Sequence, residues 1–358
     1  MKIVFSGGGT LGPVTPLLAL METLQAAEPG AHEFLWITTE RGVEIPLLKK
    51  YGVAVLSIPS GKFRRYFSWK NFSDLRQFFK GVAVARAALQ DFKPDVCVTA
   101  GGFVSVPVHF AARMLKIPTL VHQQDIKIGL ANRLMSWFAS AITVSVPQQL
   151  EQFKKGRAVY TGNPVRPSIR QGSREAGVEM FRLDESRATV FIFGGGTGAE
   201  AINRAVEGMV SAGCELFQII HVTGMHRGRP SANETPFYHA YPFLTAEMSH
   251  AYAAADVVVA RAGFNTITEI AACGKPAILI PIGRSHQTLN ATWAEAAGAA
   301  RILPEDHLSP DSLLEAIRDL LTDHEGYAAL AAGAEGLFPA DAAERILAQL
   351  RKISQKAA

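Results

Sequence analysis

Three glycine-rich turns carry the chemistry this chain offers. Gly7-Gly8-Gly9-Thr10-Leu11-Gly12 follows the apolar run Lys2-Ile3-Val4-Phe5, which reads as a buried strand. It precedes residues 13–20, which read as a helix start with Thr15 as N-cap and Pro16 as first helical residue. Such a turn leaves backbone N–H groups facing one spot. Together with the helix dipole they favour an anion such as a diphosphate. The grammar repeats where residues 189–193 run into Gly194-Gly195-Gly196-Thr197-Gly198-Ala199. A third stop, Gly101-Gly102-Phe103-Val104-Ser105, gives the first half two sets of backbone donors. That suits a phosphate-bearing ligand there and leaves the Gly194 turn for a different one.

A dinucleotide enzyme is one reading of these turns. Gly7, Gly9 and Gly12 satisfy G-x-G-x-x-G, and Gly194, Gly196 and Ala199 its G/A variant, but one match is a weak signal. Glu40 is a candidate ribose acid for the first turn. The strand after the second ends at Thr223-Gly224 with no acid, so a dehydrogenase is poorly supported. A second feature is the stretch 62–80. It interleaves Lys62, Arg64, Arg65, Lys70, Arg76 and Lys80 with Phe63, Tyr66, Phe67, Trp69, Phe72, Phe78 and Phe79, against one acid, Asp74. An amphipathic helix with a solvated basic face has this composition. So does a surface that sets aromatics among lipid headgroups while cations meet anionic lipid. Single-stranded nucleic acid is the least favoured partner.

The elements that must position these turns alternate. Strands are expected at 34–37, 53–58, 95–99, 119–122 and 141–144, with a helix over 72–92. A second series follows at 189–193, 216–223, 256–260 and 276–281, with a helix starting near Thr266 and a final helix over 341–353. This alternation predicts α/β architecture with parallel sheets. A junction at Thr161-Gly162-Asn163-Pro164-Val165-Arg166-Pro167 divides the chain into Rossmann-like domains at 1–163 and 164–340, with 341–358 able to return to the first. The chain has 358 residues, 48% hydrophobic and 19% charged, which fits a two-domain globular protein and excludes disorder. A net charge of +4 does not demand nucleic acid. Cys97, Cys214 and Cys273 form no CxxC pair and read as reduced thiols, and no apolar run reaches a membrane span.

In order, GGGTLGPVTP, GGFVSVP at 101–107, HQQD at 122–125, GNPVR at 162–166, GGGTGA at 194–199, ADVVVARAGFNTITEIAACGKP at 255–276 and HQTLNA at 286–291 resemble the MurG family across nearly the whole chain. The resemblance implies a GT-B fold, two Rossmann-like domains facing a central cleft. It implies an inverting transfer of N-acetylglucosamine from UDP-N-acetylglucosamine to the 4-hydroxyl of undecaprenyl-diphospho-muramoyl-pentapeptide, peripheral to the cytoplasmic face of a cell membrane. By the same resemblance the donor meets Arg166, Gly195, Gly196, Thr197, Phe243, Leu244, Asn265, Thr266, Glu269, His286, Gln287 and Asn290. Arg166 takes the diphosphate, a forked cation being suited to two phosphates. Glu269 takes the ribose hydroxyls, since a carboxylate can accept from both. Thr266 and Glu269 also fit a plain T-x-x-E capping box. The acceptor is expected against Gly8, Gly9, Thr10, Leu11, Gly12, Gly101, Gly102, Phe103, Gln124 and Asp125. The membrane face is expected at Phe67, Trp69, Phe72, Arg76, Phe79 and Lys80.

The chain departs from the family in places that bear on chemistry. The family's GGTGGH histidine is Pro13 here, which can neither take a proton nor donate a hydrogen bond. The family's HEQN is His122-Gln123-Gln124-Asp125, and one of its glutamine pair is His286. An inverting transfer needs help removing the acceptor proton. Asp125, or failing it His122, is the expected general base, although His122 at a strand end also reads as a structural hydrogen-bonder. No DxD loop is present, so neither a metal nor another cofactor is expected. A relative with a different lipid or sugar acceptor, or a non-catalytic UDP-sugar-binding protein, is the alternative.

Overall fold

The structure, a computed structural model, describes residues 1–40, 42, 44–60, 70–225 and 235–356. The chain separates into two compact units, Met1–Arg166 with Asp341–Ala358, and Pro167–Ala340. The division falls inside the glycine- and proline-rich junction and leaves Arg166 as the last residue of the first unit before the crossing.

In the first unit, strands β1 (Lys2–Ser6), β2 (Glu33–Thr39), β3 (Ala54–Ile58), β4 (Val96–Thr99), β5 (Thr119–Gln123), β6 (Ala141–Val144) and β7 (Ala158–Tyr160) form one parallel sheet in the order β3-β2-β1-β4-β5-β6-β7. Helices α1 (Thr15–Ala27), α2 (Ile45–Lys50), α3 (Lys70–Phe92), α4 (Ser105–Met114) and α5 (Leu130–Ser136) connect them. In the second unit, β8 (Thr189–Phe193), β9 (Gln218–Val222), β10 (Tyr238–Tyr241), β11 (Val257–Ala260), β12 (Ala277–Leu279) and β13 (Arg301–Ile302) follow the order β10-β9-β8-β11-β12-β13. Its helices are α6 (Arg174–Phe181), α7 (Glu200–Ser211), α8 (Glu247–Ala254), α9 (Phe264–Ala272), α10 (His286–Ala296), α11 (Pro310–Thr322) and α12 (His324–Glu335). Both sheets have the doubly wound order, in which ligands bind outside the carboxyl ends of the strands, where the order reverses.

The central strands are mostly apolar because helices cover both faces, with buried polar residues such as Ser6, Thr99 and His122 toward their carboxyl ends. On one face of the first sheet, Ile3, Phe5 and Trp36 pack with Leu17, Leu20, Met21 and Leu24 of α1. That core is completed by α13 (Ala342–Gln355), whose Ala343, Ile346, Leu347 and Leu350 pack into it. Two expectations need correction. Thr15 is not an N-cap. Val14 holds that position, and the Thr15 hydroxyl donates to the Leu11 carbonyl at 3.0 Å, which moves Pro16 to the second helical residue. The edge strands β7, β10 and β13 are additional to those expected. They are only two to four residues long, and His239 and Arg301 interrupt β10 and β13, so no sustained apolar run marks them.

Candidate functional site

In the first unit the turns after β1, β4 and β5 meet, because those strands are neighbours. Ser105, at the start of α4, donates to the Ser6 carbonyl at 2.9 Å and the Gly101 carbonyl at 2.8 Å, and accepts from Thr99 at 2.9 Å. A side chain at Gly102 would put its Cβ 3.3 Å from the Gly8 oxygen. Gln124 donates to the Ala100 carbonyl at 2.9 Å. The residues expected to meet the acceptor, Gly8 to Gly12, Gly101 to Phe103, Gln124 and Asp125, are therefore gathered at one end of one sheet.

The interior of the first turn is already occupied. The fully buried Glu44 carboxylate accepts the Gly9 N–H at 3.1 and 3.2 Å, and the Thr38 and Thr39 hydroxyls. Glu40, the ribose acid of the dinucleotide reading, points to solvent. The expected diphosphate cradle at Gly9 is corrected accordingly: the chain supplies that anion itself, from four residues beyond the expected acid.

His122 is fully buried on β5. One ring nitrogen meets Thr143 at 2.9 Å, and the other meets Asn163 at 2.9 Å and Ser145 at 3.2 Å. Burial pushes its pKa down to about 4, only partly opposed by the Asn163 bond. A neutral imidazole with both nitrogens engaged is not poised to take a substrate proton, which corrects the expectation of a base there. Asp125 is half-buried at the next turn. Its carbonyl accepts from the amides of Gln123 and Gln149, each at 2.7 Å. Gln149 also receives the Ser145 N–H at 2.8 Å, so the backbone under Asp125 is fixed from two sides. Gln123 stood out only as a departure from the family's HEQN, and Gln149 not at all; their amide partners in space give them this role.

Arg166 lies beside Tyr51. Burial, together with the 2.6 Å bond the Tyr51 hydroxyl donates to Glu22, pushes that phenol up to about 12, and Arg166 works the other way.

In the second unit the expected donor residues also gather at the strand ends. The turn 194–198 leads from β8 into α7. Phe243 and Leu244 follow β10. Asn265, Thr266 and Glu269 are on α9 after β11, and His286, Gln287 and Asn290 are on α10 after β12. Asn290 is fully buried and donates to the Ala262 carbonyl at 3.2 Å, locking α10 to the start of α9. His286 is exposed. The Gln287 side-chain oxygen accepts the Ile282 N–H at 3.1 Å, which holds the preceding turn.

The capping-box reading of Thr266 and Glu269 does not hold. Helix α9 starts at Phe264 with Gly263 as N-cap, so Thr266 is its third residue and caps nothing. Glu269 is buried in the second turn, where Tyr252 donates to it at 3.2 Å. Arg261 donates to the Ile280 carbonyl at 3.0 Å and pairs with Glu305, which also accepts the Gly283 N–H at 3.3 Å. That pair, unmarked in the sequence, holds the turn before α10.

Residues 3–144 match the model of the glycosyltransferase family 28 N-terminal domain, and residues 189–346 that of its C-terminal domain. The UDP-N-acetylglucosamine–N-acetylmuramyl-(pentapeptide) pyrophosphoryl-undecaprenol N-acetylglucosamine transferase of Lachnoclostridium phytofermentans is 38% identical over 330 residues, 91% of this chain and 92% of that protein. The chain belongs to the MurG family. A crystal structure of MurG from Acinetobacter baumannii superposes with a TM-score of 0.70 at 24% identity, covering 98% of this chain and 99% of that one. A UDP-GlcNAc 2-epimerase from Neisseria meningitidis, bound to UDP-GlcNAc, reaches 0.67 at 15% identity over 98% and 100%. Both likenesses show the GT-B fold alone, which serves more than one chemistry. MurG-family membership makes the chain a hexosyltransferase of the GT-B class, as its motifs implied.

The first unit of this MurG-family chain also carries an apolar and cationic surface. Phe67 and Trp69 lie outside the described residues, as does the side chain of Phe72. Arg76, Phe79 and Lys80 are exposed on α3. Phe79 is 58%, Met114 52% and Trp137 78% exposed, and Phe78 bridges Phe79 and Phe110 at 5.5 and 6.1 Å. Next to Trp137 runs a groove of about 840 Å³ whose lining includes Arg113, Lys116, Arg157, Lys352 and Lys356 and no carboxylate. No helix among the described residues is long and apolar enough to cross a membrane.

Proposed function

We propose that this chain transfers N-acetylglucosamine from UDP-N-acetylglucosamine to the 4-hydroxyl of undecaprenyl-diphospho-muramoyl-pentapeptide, with inversion, at the cytoplasmic face of a cell membrane. The observation that carries the reading is Glu269. It is buried in the second turn of α9, the helix that follows β11, the strand paired with β8 and its glycine turn, and is not used as a helix cap. A carboxylate so placed suits two vicinal ribose hydroxyls. The amides of Gly195, Gly196 and Thr197, at the N-terminal end of α7, suit the diphosphate, and Arg166 adds a forked cation.

In the transfer, the acceptor 4-oxygen forms its bond to the anomeric carbon while the bond from that carbon to the diphosphate oxygen breaks. UDP leaves with the electron pair, and its charge is met by those amides and by Arg166. The proton of the 4-hydroxyl passes to the Asp125 carboxylate. The first unit takes the acceptor and the second takes the donor. The Phe79–Trp137 surface and its cationic groove meet anionic lipid, apolar rings entering the headgroup layer while lysines and arginines stay at the phosphates.

The test is UDP release by the whole chain given UDP-N-acetylglucosamine, with and without a soluble analogue of the lipid-linked acceptor. Release that depends on the acceptor is expected. Release with other acceptors only, or donor binding without release, would replace this reading by one of its alternatives. Asp125→Asn is expected to lower kcat by about a hundredfold or more with both KM values kept. A change of only a few-fold removes Asp125 as the base. Flotation with phosphatidylglycerol vesicles is expected to be salt-sensitive, and to weaken in a Lys352→Glu, Lys356→Glu double variant. Equal flotation with phosphatidylcholine vesicles removes the anionic-lipid assignment.

A further inference from the structure

The backbone amides of the first glycine turn are placed as if to hold an anion, yet the anion present belongs to the chain. Glu44 reaches Gly9 from the segment between β2 and α2, thirty-five residues downstream. Its carboxylate is fully buried and bonded to one backbone N–H and two threonine hydroxyls. The backbone is shaped around it. A Cβ at Gly8 would fall 2.0 Å from the Thr38 hydroxyl and 2.3 Å from the Glu44 carboxylate, and one at Gly42 only 1.8 Å from that carboxylate. Trp36 ties the same turn from below, donating to the Gly7 carbonyl at 3.0 Å. Gly9, Thr10 and Gly12 are exposed on the outer side.

We propose that the Glu44 carboxylate is the resident anion of the first glycine turn, a positioning residue that shapes the turn for the uncharged sugar of the acceptor and keeps the acceptor diphosphate away from Gly9. The proposal rests on the reading that this turn serves the acceptor. Its physical basis is double use of one N–H. A diphosphate brought to Gly9 would compete for a donor already bonded and would meet a like charge a few ångströms behind it. The hydroxyls of a sugar carry no such penalty. They find outward-facing backbone groups held in place by a buried, hydrogen-bonded carboxylate.

Glu44→Gly removes the resident anion, and sodium formate can replace it as a free carboxylate of matching size. For Glu44→Gly the acceptor KM is expected to rise about tenfold with the donor KM within twofold. Formate, and not chloride, is expected to restore the acceptor KM and to raise the melting temperature of the variant but not of the parent. Glu44→Gln keeps the volume but sets an NH₂ against donors. It is expected to raise the acceptor KM with kcat within twofold, which tests the idea should Glu44→Gly not fold. A lower acceptor KM in either variant would mean that the seat belongs to the acceptor diphosphate and would overturn the proposal. So would an unchanged KM in both variants, or a Glu44→Gly protein indifferent to formate. Formate-dependent melting needs no turnover. A parent that transfers nothing would sink the transfer reading and leave the Glu44 result to stand or fall alone.

Discussion

The two glycine turns begin alike, with three glycines and a threonine after a strand, and differ in backbone and interior: the left-handed residue is the third glycine, Gly9, in the first and the second glycine, Gly195, in the second. Gly9 and Gly195 share a φ of +86°, and at either a Cβ would meet nothing within 4 Å. The first turn is filled by Glu44. Among the described residues no side chain accepts from Gly195, Gly196 or Thr197; the second turn is closed instead by its own backbone. Gly198 donates to the Gly195 carbonyl at 2.9 Å, and a Cβ on Gly198 would sit 2.1 Å from the Thr223 carbonyl. A turn that satisfies its amides internally is a scaffold, whereas one whose amides face outward at a helix N-terminus is a ready anion site. Two turns with a common GGGT start thus differ in what their amides meet, and in the first an acid far along the chain supplies the partner.

That contrast can be broken at several points. The largest expected effect is on the donor side. Glu269→Ala should lower kcat/KM for UDP-N-acetylglucosamine by about a hundredfold, about 3 kcal/mol, while leaving the acceptor KM within twofold. An equal loss on both substrates would erase the division of labour. Next is Gly198→Ala. It combines backbone strain at φ +74° with the clash at Thr223 and should cost about 2–3 kcal/mol, read as a lowered melting temperature and a raised donor KM.

Acid comes third, through a matched pair of histidines. His221 on β9 is bonded to Tyr238 at 2.9 Å and Asn203 at 3.2 Å, and burial lowers its pKa to about 4, as for His122. The first unit has a second such group, His109 on α4, lowered by burial to about 3. A histidine depressed in the folded state leaves the unfolded chain binding more protons. Its stabilisation is complete above about pH 6.5 and is lost as pH falls toward the folded value, about 1.4 kcal/mol each at about pH 5.5. The first unit should therefore melt before the second as pH falls below about 6.5, and proteolysis or hydrogen exchange would show which goes first. The smallest effect is Gly195→Ala, where the space is open and only the positive φ resists. It should cost about 1 kcal/mol.

Much of this could be read from the residues, and the failures have physical causes. Central strands announced themselves because both faces are covered, so residues 190–193 and 96–98 are apolar without interruption. Edge strands such as Ala158–Tyr160 are half-covered and left no such mark. The T-x-x-E at 266 and 269 looked like a cap because cap arithmetic counts spacing and not where the helix begins; Gly263 begins it three residues earlier. Pro13 and Asp125 could be seen as departures. Glu44 could not, since its meaning lies in contact with Gly9, and a carboxylate two residues after Gly42 and two before Pro46 reads as a surface turn. His122 was correctly placed at a strand end, but its three polar neighbours come from Thr143, Ser145 and Asn163, on chain segments that no local pattern connects to it.

The way α13 packs has a consequence for biosynthesis. Ile346, Leu347 and Leu350 finish a hydrophobic cluster begun by Ile3 and Phe5, and everything from Pro167 to Ala340 is made in between. On the ribosome the later-made unit can therefore consolidate first, while the earlier one waits with an open apolar flank facing solvent. A nascent chain stalled near residue 340 should expose that flank to chaperones, and supplying the missing segment as a separate peptide should cover it.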